Sequence, residues 1–153
     1  MVRVLFVCLG NICRSPMAEA VFQHLVREQG LANRIDSDSA GTGHWHVGEP
    51  PHRGTRRILS QKGIEYEGIA RLLSREDLDR FDYIVTMDEM NHRDVKQLGN
   101  GKAKLLRFAD YAPIAGLAEV PDPYYDGRFE VVYDMVNEAA GNLLAEIRST
   151  HNL

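Results

Sequence analysis

A chain of 153 residues, 44% hydrophobic and 26% charged, is long enough to bury one real core and too short for two full domains. Its 18 basic and 22 acidic side chains leave a net charge of -4 spread along the sequence, which argues against a nucleic-acid binder with its basic face. Two cysteines are too few for a disulfide framework, and the apolar run from Met1 to Leu9 is too short for a signal or membrane segment. The expectation is one cytoplasmic domain over residues 1–153, with no membrane association.

Arg3 to Cys8 is a nearly continuous, valine-rich run of strand length, the pattern of a strand buried on both faces of a parallel sheet. Ser15 is placed to cap a helix with Pro16 at its first position, and Ala18, Val21, Phe22 and Leu25 then recur at helical spacing. Ile35 to Ala40 is a weaker strand, followed by a loop rich in glycine, histidine and proline from Gly41 to Pro51. Gly54 to Gly63 reads as a helix closing on a glycine stop. Ser74, with Asp77 three positions on, resembles a capping box that opens a short helix before the strand "DYIVTMD", Asp82 to Asp88.

Asp88 to Leu98 reads as a helix and Ala103 to Phe108 as a strand. Asp110 to Arg128 lacks periodicity and is expected to be a long loop, which in a compact domain is usually functional. Phe129 to Ile147 closes the chain as an amphipathic helix, with Val132, Met135, Val136, Ala139, Leu143 and Ile147 in one stripe. Strands alternating with helices predict an α/β fold: a small four-stranded parallel sheet with helices on both faces, Rossmann-like.

Both cysteines fall in one turn, within "VLFVCLGNICRSPMAEAVF", Val4 to Phe22. In such a sheet, ligands bind outside the carboxyl ends of the strands, where this turn begins. Gly10 permits a left-handed or close-approach backbone and Asn11 tolerates positive φ, so successive N–H groups can face one concavity. The following helix adds its positive dipole end, and an anion is favoured. The lysine and second glycine of a nucleotide P-loop are missing, as is the dinucleotide pattern "GxGxxG".

In their place stand a thiol, Cys8, and a guanidinium, Arg14. The positive surroundings should keep Cys8 as a thiolate, Arg14 offers a planar fork for two phosphate oxygens, and Ser15 can donate its hydroxyl to the sulfur. Two cysteines, with His24, His44, His46 and His52 at no finger or ribbon spacing, make no zinc site, so neither metal nor cofactor is expected.

"CLGNICRS" directly after the first strand resembles the signature of the low-molecular-weight protein tyrosine phosphatases. "HWHVG" around Trp45, "TMDE" around Asp88 and "DPYY" from Asp122 to Tyr125 extend the resemblance. It implies that family's fold and the hydrolysis of phosphotyrosine-containing proteins in two steps through a cysteinyl-phosphate on Cys8. Arg14 would clamp the phosphate, and Asp122 would serve as general acid and then base. From the residues alone Asp122 is also a plain turn starter, and Asp110 and Asp126 remain open as the acid.

The resemblance also implies substrate contacts from Leu9, Gly10, Asn11, Ile12, Cys13 and Ser15, and cleft walls from Tyr124 and Tyr125. Trp45 would be an aromatic lip, against the plain reading of a partly buried tryptophan, while His44 and His46 read as exposed loop residues. Cys13 would form a reversible disulfide with an oxidised Cys8, or simply fill the helix start. Asp88 either supports the site or caps a helix. "RGTRR", Arg53 to Arg57, is a solvated helix face or a patch that steers acidic phosphopeptides.

One departure stands out. The family often carries a histidine near Gly68 that ties down the loop asparagine, and "EYEGIAR" here has none. Arsenate reduction would need further cysteines downstream of Cys13. A protein arginine phosphatase would carry threonines in the loop, where Leu9 and Ile12 are apolar. A non-catalytic phosphate-binding module would need neither thiol nor Asp122. The expected ligands are inorganic phosphate or similar oxyanions, and the expected state is a monomer or weak self-association.

Overall fold

The computed structural model describes all 153 residues. It contains β1 (Val2–Cys8), α1 (Arg14–Glu28), β2 (Ile35–Gly41), α2 (Arg53–Gln61), α3 (Asp77–Arg80), β3 (Tyr83–Thr86), α4 (Glu89–Leu98), β4 (Lys104–Arg107), α5 (Pro123–Asp126) and α6 (Phe129–His151). A 3-10 turn, Phe108–Tyr111, follows β4. The sheet order is β2-β1-β3-β4 with every pair parallel. β1 is therefore central, and its carboxyl end lies at the switch point where the crossovers change direction.

Period-two alternation along β1 sorts its side chains between two cores. Val4, Phe6 and Cys8 belong to the larger one, with residues of α1, α2 and α6. Leu5 and Val7 belong to the smaller one, with Leu78 of α3 and Val95 of α4. Burial on both sides is why the strand reads as an unbroken apolar run. Phe6 is fully buried, with the Phe22 and Phe108 rings each 5.4 Å away in edge-on contact. No helix is long and apolar enough to cross a membrane.

Several expectations need correction. The residues from Asp110 to Arg128 are not all loop. Asp122 accepts from the Tyr124 N–H at 3.1 Å, Pro123 fixes the first helical φ, and Gly127 closes in the left-handed region, which together make α5. Ser15 does not cap α1. The helix begins at Arg14 with Cys13 in the cap position and no side-chain capping bond, and the Ser15 hydroxyl, inside the first turn, is engaged with Cys8 and Asn11. Ser74 and Asp77 make only the reach-back half of a capping box, the Asp77 carboxylate accepting from the Ser74 N–H at 2.9 Å, and α3 begins at Asp77 itself.

β3 and β4 are shorter than their apolar runs because pairing extends only from Tyr83 opposite Lys104 to Thr86 opposite Arg107. α6 runs one turn beyond Ile147, where the His151 ring hydrogen-bonds the Tyr83 hydroxyl at 2.9 Å.

The Phe6 stack generates a test. Phe6→Ala leaves a cavity among rigid ring neighbours and is expected to lower the unfolding free energy by about 3–5 kcal/mol. Equilibrium urea denaturation measures it, and a loss near zero would mean that the two rings collapse onto each other.

Candidate active site

The turn joining β1 to α1 has its carbonyls tied down from outside. The Cys8 carbonyl accepts from Thr42 N–H at 3.0 Å, Leu9 from Gly43 at 2.8 Å, Ile12 from His52 at 2.7 Å, and Cys13 from the Thr55 hydroxyl at 3.1 Å. None of the backbone N–H groups from Leu9 to Ser15 donates to an acceptor within the chain. Buried N–H groups are rarely left unpaired, so this loop is built to receive an acceptor of its own. Asn11, not Gly10, takes the left-handed conformation, with φ at 57°. Gly10 serves the close approach: a Cβ there would meet the His46 ring at 3.0 Å.

Asn11 is 4% exposed and Ser15 fully buried, and both side chains lie behind the loop instead of lining the cleft. The Asn11 amide donates to Ser15 Oγ at 2.7 Å and Ser39 Oγ at 3.0 Å, while its oxygen accepts from the Arg71 N–H at 3.0 Å. That backbone donor fixes which end of the amide faces which way. Ser39 in turn donates to Glu19 at 2.7 Å, and the Tyr66 hydroxyl donates to the same carboxylate oxygen at 2.7 Å.

Burial holds the Glu19 carboxyl above its usual range despite those two donors, and burial followed by Glu19 pushes the Tyr66 phenol up. Serine, glutamate and tyrosine thus hold Asn11 where no histidine is available. With Asn11 donating into its oxygen, Ser15 is free to direct its own proton at Cys8 Sγ, 3.1 Å away.

Arg14 is 3% exposed. One nitrogen donates to Asp88 Oδ2 at 2.7 Å and to the Val120 carbonyl at 3.0 Å, and the other lies 3.6 Å from Asp122 Oδ2. Burial opposes its charge, but the Cys8 sulfur and the Asp88 carboxylate more than offset this, and its pKa is raised. Asp88 has both of the roles considered for it. Its second oxygen caps α4 in a reciprocal box with Asn91.

Cys8, Leu9, Gly10, Ile12, Cys13 and Arg14 floor a cleft of about 370 Å³, and Asp122 enters it from α5. Asp110 and Asp126 do not reach it, and Asp126 is engaged by Arg128. Trp45, Tyr124 and Tyr125 form the walls, with Trp45 64% exposed and stacked on His44. His46 lines the cleft too, held by Glu49 at 3.1 Å, so it is not the exposed bystander the loop composition predicts. Burial, with Cys8 and Asp122 adding to it, pushes the Cys13 thiol up to about 12. No group of three or more histidine, cysteine or acidic side chains is arranged to hold a metal ion.

Glu19, Ser39, Tyr66 and Arg71 escaped the sequence reading. A signal existed for two of them: Glu19 is one helical turn after Ser15, on its face, and Ser39 is a polar side chain within the buried carboxyl end of β2.

Known proteins match this architecture over its full length. The model of the low molecular weight phosphotyrosine protein phosphatases covers residues 3–152. The low molecular weight protein-tyrosine-phosphatase YfkJ of Bacillus subtilis is 48% identical over 100% of both chains. Its crystal structure superposes with a TM-score of 0.94, covering 98% of this chain and 96% of that one. A protein tyrosine phosphatase from Entamoeba histolytica gives a TM-score of 0.93 at 34% identity, with 99% of each chain covered. A drosophila arginine phosphatase gives 0.87 at 32% identity, over 95% of this chain and 97% of the other. The chain belongs to the low molecular weight phosphotyrosine protein phosphatase family.

Proposed function

We propose that the protein hydrolyses phosphotyrosine in proteins through a cysteinyl-phosphate on Cys8. The observation that carries this reading is the convergence of the Cys8 thiol, the Arg14 guanidinium and the Asp122 carboxyl on one cleft floored by unpaired N–H groups. The phosphate oxygens take up those N–H groups and the Arg14 fork. Charge that spreads over the equatorial oxygens during transfer is held by the same donors.

The Cys8 sulfur attacks phosphorus as the P–O bond to the phenol breaks, and Asp122 gives its proton to the departing oxygen. In the second step Asp122 takes a proton from water, which attacks phosphorus; the P–S bond breaks and inorganic phosphate leaves. The Ser15 hydroxyl, directed at the sulfur, stabilises the thiolate both before attack and on departure. Asp88 and the Val120 carbonyl keep the guanidinium in plane with its target.

Leu9, Ile12, Trp45, Tyr124 and Tyr125 offer an aryl ring apolar and aromatic surface, which favours phosphotyrosine over phosphoarginine. The likeness to an arginine phosphatase makes that the second reading. Cys8 and Cys13 are the only cysteines, which leaves an arsenate reductase without its relay. We take the protein to act in the reducing cytoplasm, as a monomer or weakly associating species.

Cys13 stands as a redox guard. Peroxide takes the Cys8 thiolate to a sulfenic acid with release of hydroxide, and the Cys13 sulfur then attacks the oxidised sulfur, losing its proton and expelling water to leave a disulfide. At rest Cys13 stays a neutral thiol and does not compete as a nucleophile. Oxidation neutralises Cys8 and removes one of the charges that hold the Cys13 proton on.

Three measurements follow. Phosphotyrosine and phosphoarginine peptides assayed side by side are expected to differ in favour of phosphotyrosine, with Cys8→Ser inactive on both. Faster turnover of phosphoarginine would hand the site to the second reading. Asp122→Asn is expected to slow turnover of an aryl phosphate by roughly 10²- to 10⁴-fold, and a change of only a few-fold would move the acid to another group. After peroxide, mass spectrometry is expected to find a dithiol-reversible Cys8 to Cys13 bridge; sulfinic acid on Cys8 in its place would remove the guard.

A further inference from the structure

Beyond the cleft, helix α2 carries Arg53, Arg56 and Arg57 at spacings of three and four residues, which aligns them on one face. All three are exposed, and together they line a single surface depression. None makes an ion pair within the chain. Glu130, which shares a neighbouring depression with Arg53 and Arg57, is engaged by Lys62 at 3.6 Å, and Glu65 and Glu67 border a further depression beside Arg56 without pairing to it. In a protein of net charge -4, three like charges gathered on one helical face repel each other.

The face is continuous with the cleft mouth. His52, the residue before Arg53, caps α2 by accepting from Gly54 N–H at 2.9 Å. Its ring meets the Tyr124 ring at 5.8 Å on one side and stacks on Phe129 at 5.1 Å on the other. Tyr124 walls the cleft. Burial and the neighbouring Arg53 and Arg56 lower the His52 pKa, so at neutral pH the ring is an uncharged step between two positive regions. A chain leaving the cleft over Tyr124 and His52 arrives directly on the guanidinium groups.

We infer that the Arg53, Arg56 and Arg57 face of α2 is a docking site for an acidic segment of the phosphoprotein substrate, adjacent in sequence to the phosphotyrosine. The inference rests on the phosphatase reading above and adds to it a determinant outside the reacting groups. Docking acts on encounter and binding, so it appears in KM and in salt dependence and leaves the chemistry of a small aryl phosphate untouched.

The test compares a phosphotyrosine peptide flanked by three aspartates or glutamates with its asparagine and glutamine counterpart, at low and at high salt. The unaltered protein is expected to prefer the acidic peptide by about tenfold in kcat/KM, the scale of a few partly screened pairs, through KM and only at low salt. Arg56→Glu/Arg57→Glu is expected to abolish or invert the preference, and Arg56→Gln/Arg57→Gln to reduce it. Para-nitrophenyl phosphate turnover should stay within twofold in both variants. A preference that survives charge reversal, or is absent while para-nitrophenyl phosphate is still hydrolysed, overturns this inference alone. If the unaltered protein hydrolyses no phosphate ester, the catalytic reading falls with it.

Discussion

The protein depends on a backbone arrangement before it depends on any side chain. Four carbonyls of the turn after β1 are held from outside by Thr42, Gly43, His52 and Thr55, and this turns the intervening amides into a cluster of unpaired donors. A concavity of that kind carries partial positive charge without a single lysine, and it persists inside an acidic chain because its source is local geometry. The thiol, the guanidinium and the carboxyl acquire their meaning from their position around it.

The electrostatics of the site form a closed set. Arg14 is buried with Asp88 on one nitrogen and Asp122 near the other, so its charge is balanced by two carboxylates, of which Asp122 lines the cleft. Asp88 is itself fixed by capping α4, and Asp122 by capping α5. Each acid thus satisfies a helix end with one oxygen and attends to the arginine with the other. Coupling of this sort ties the geometry of the cleft to secondary structure, and it is why an Asp-Pro pair that reads as a turn starter also presents a carboxyl to the cleft.

Local signals in the sequence reached most of this. The apolar run of β1, the loop after it and the stripe of α6 were legible because each rests on periodicity or on one compact motif, and Cys8, Arg14 and Asp122 came with the family pattern. What stayed hidden required residues far apart in sequence. Ser39, Glu19, Tyr66 and Arg71 surround Asn11 only because β2 pairs beside β1 and the segment after α2 folds back across both. α5 was missed for a different reason: four residues are too few for a periodic signal, and the helix is declared by its cap, its proline and its left-handed glycine.

The left-handed Asn11 has a consequence for how the molecule comes to life. A non-glycine residue in that conformation costs free energy unless its surroundings hold it there, and here the holders arrive from β2, from the segment after α2 and from α1. An isolated β1 to α1 unit contains every atom of the anion-cradle loop and lacks the distant part of the clamp that shapes it. The shaped loop therefore requires distant segments to have docked, and enzymatic output doubles as a gauge of completed tertiary assembly.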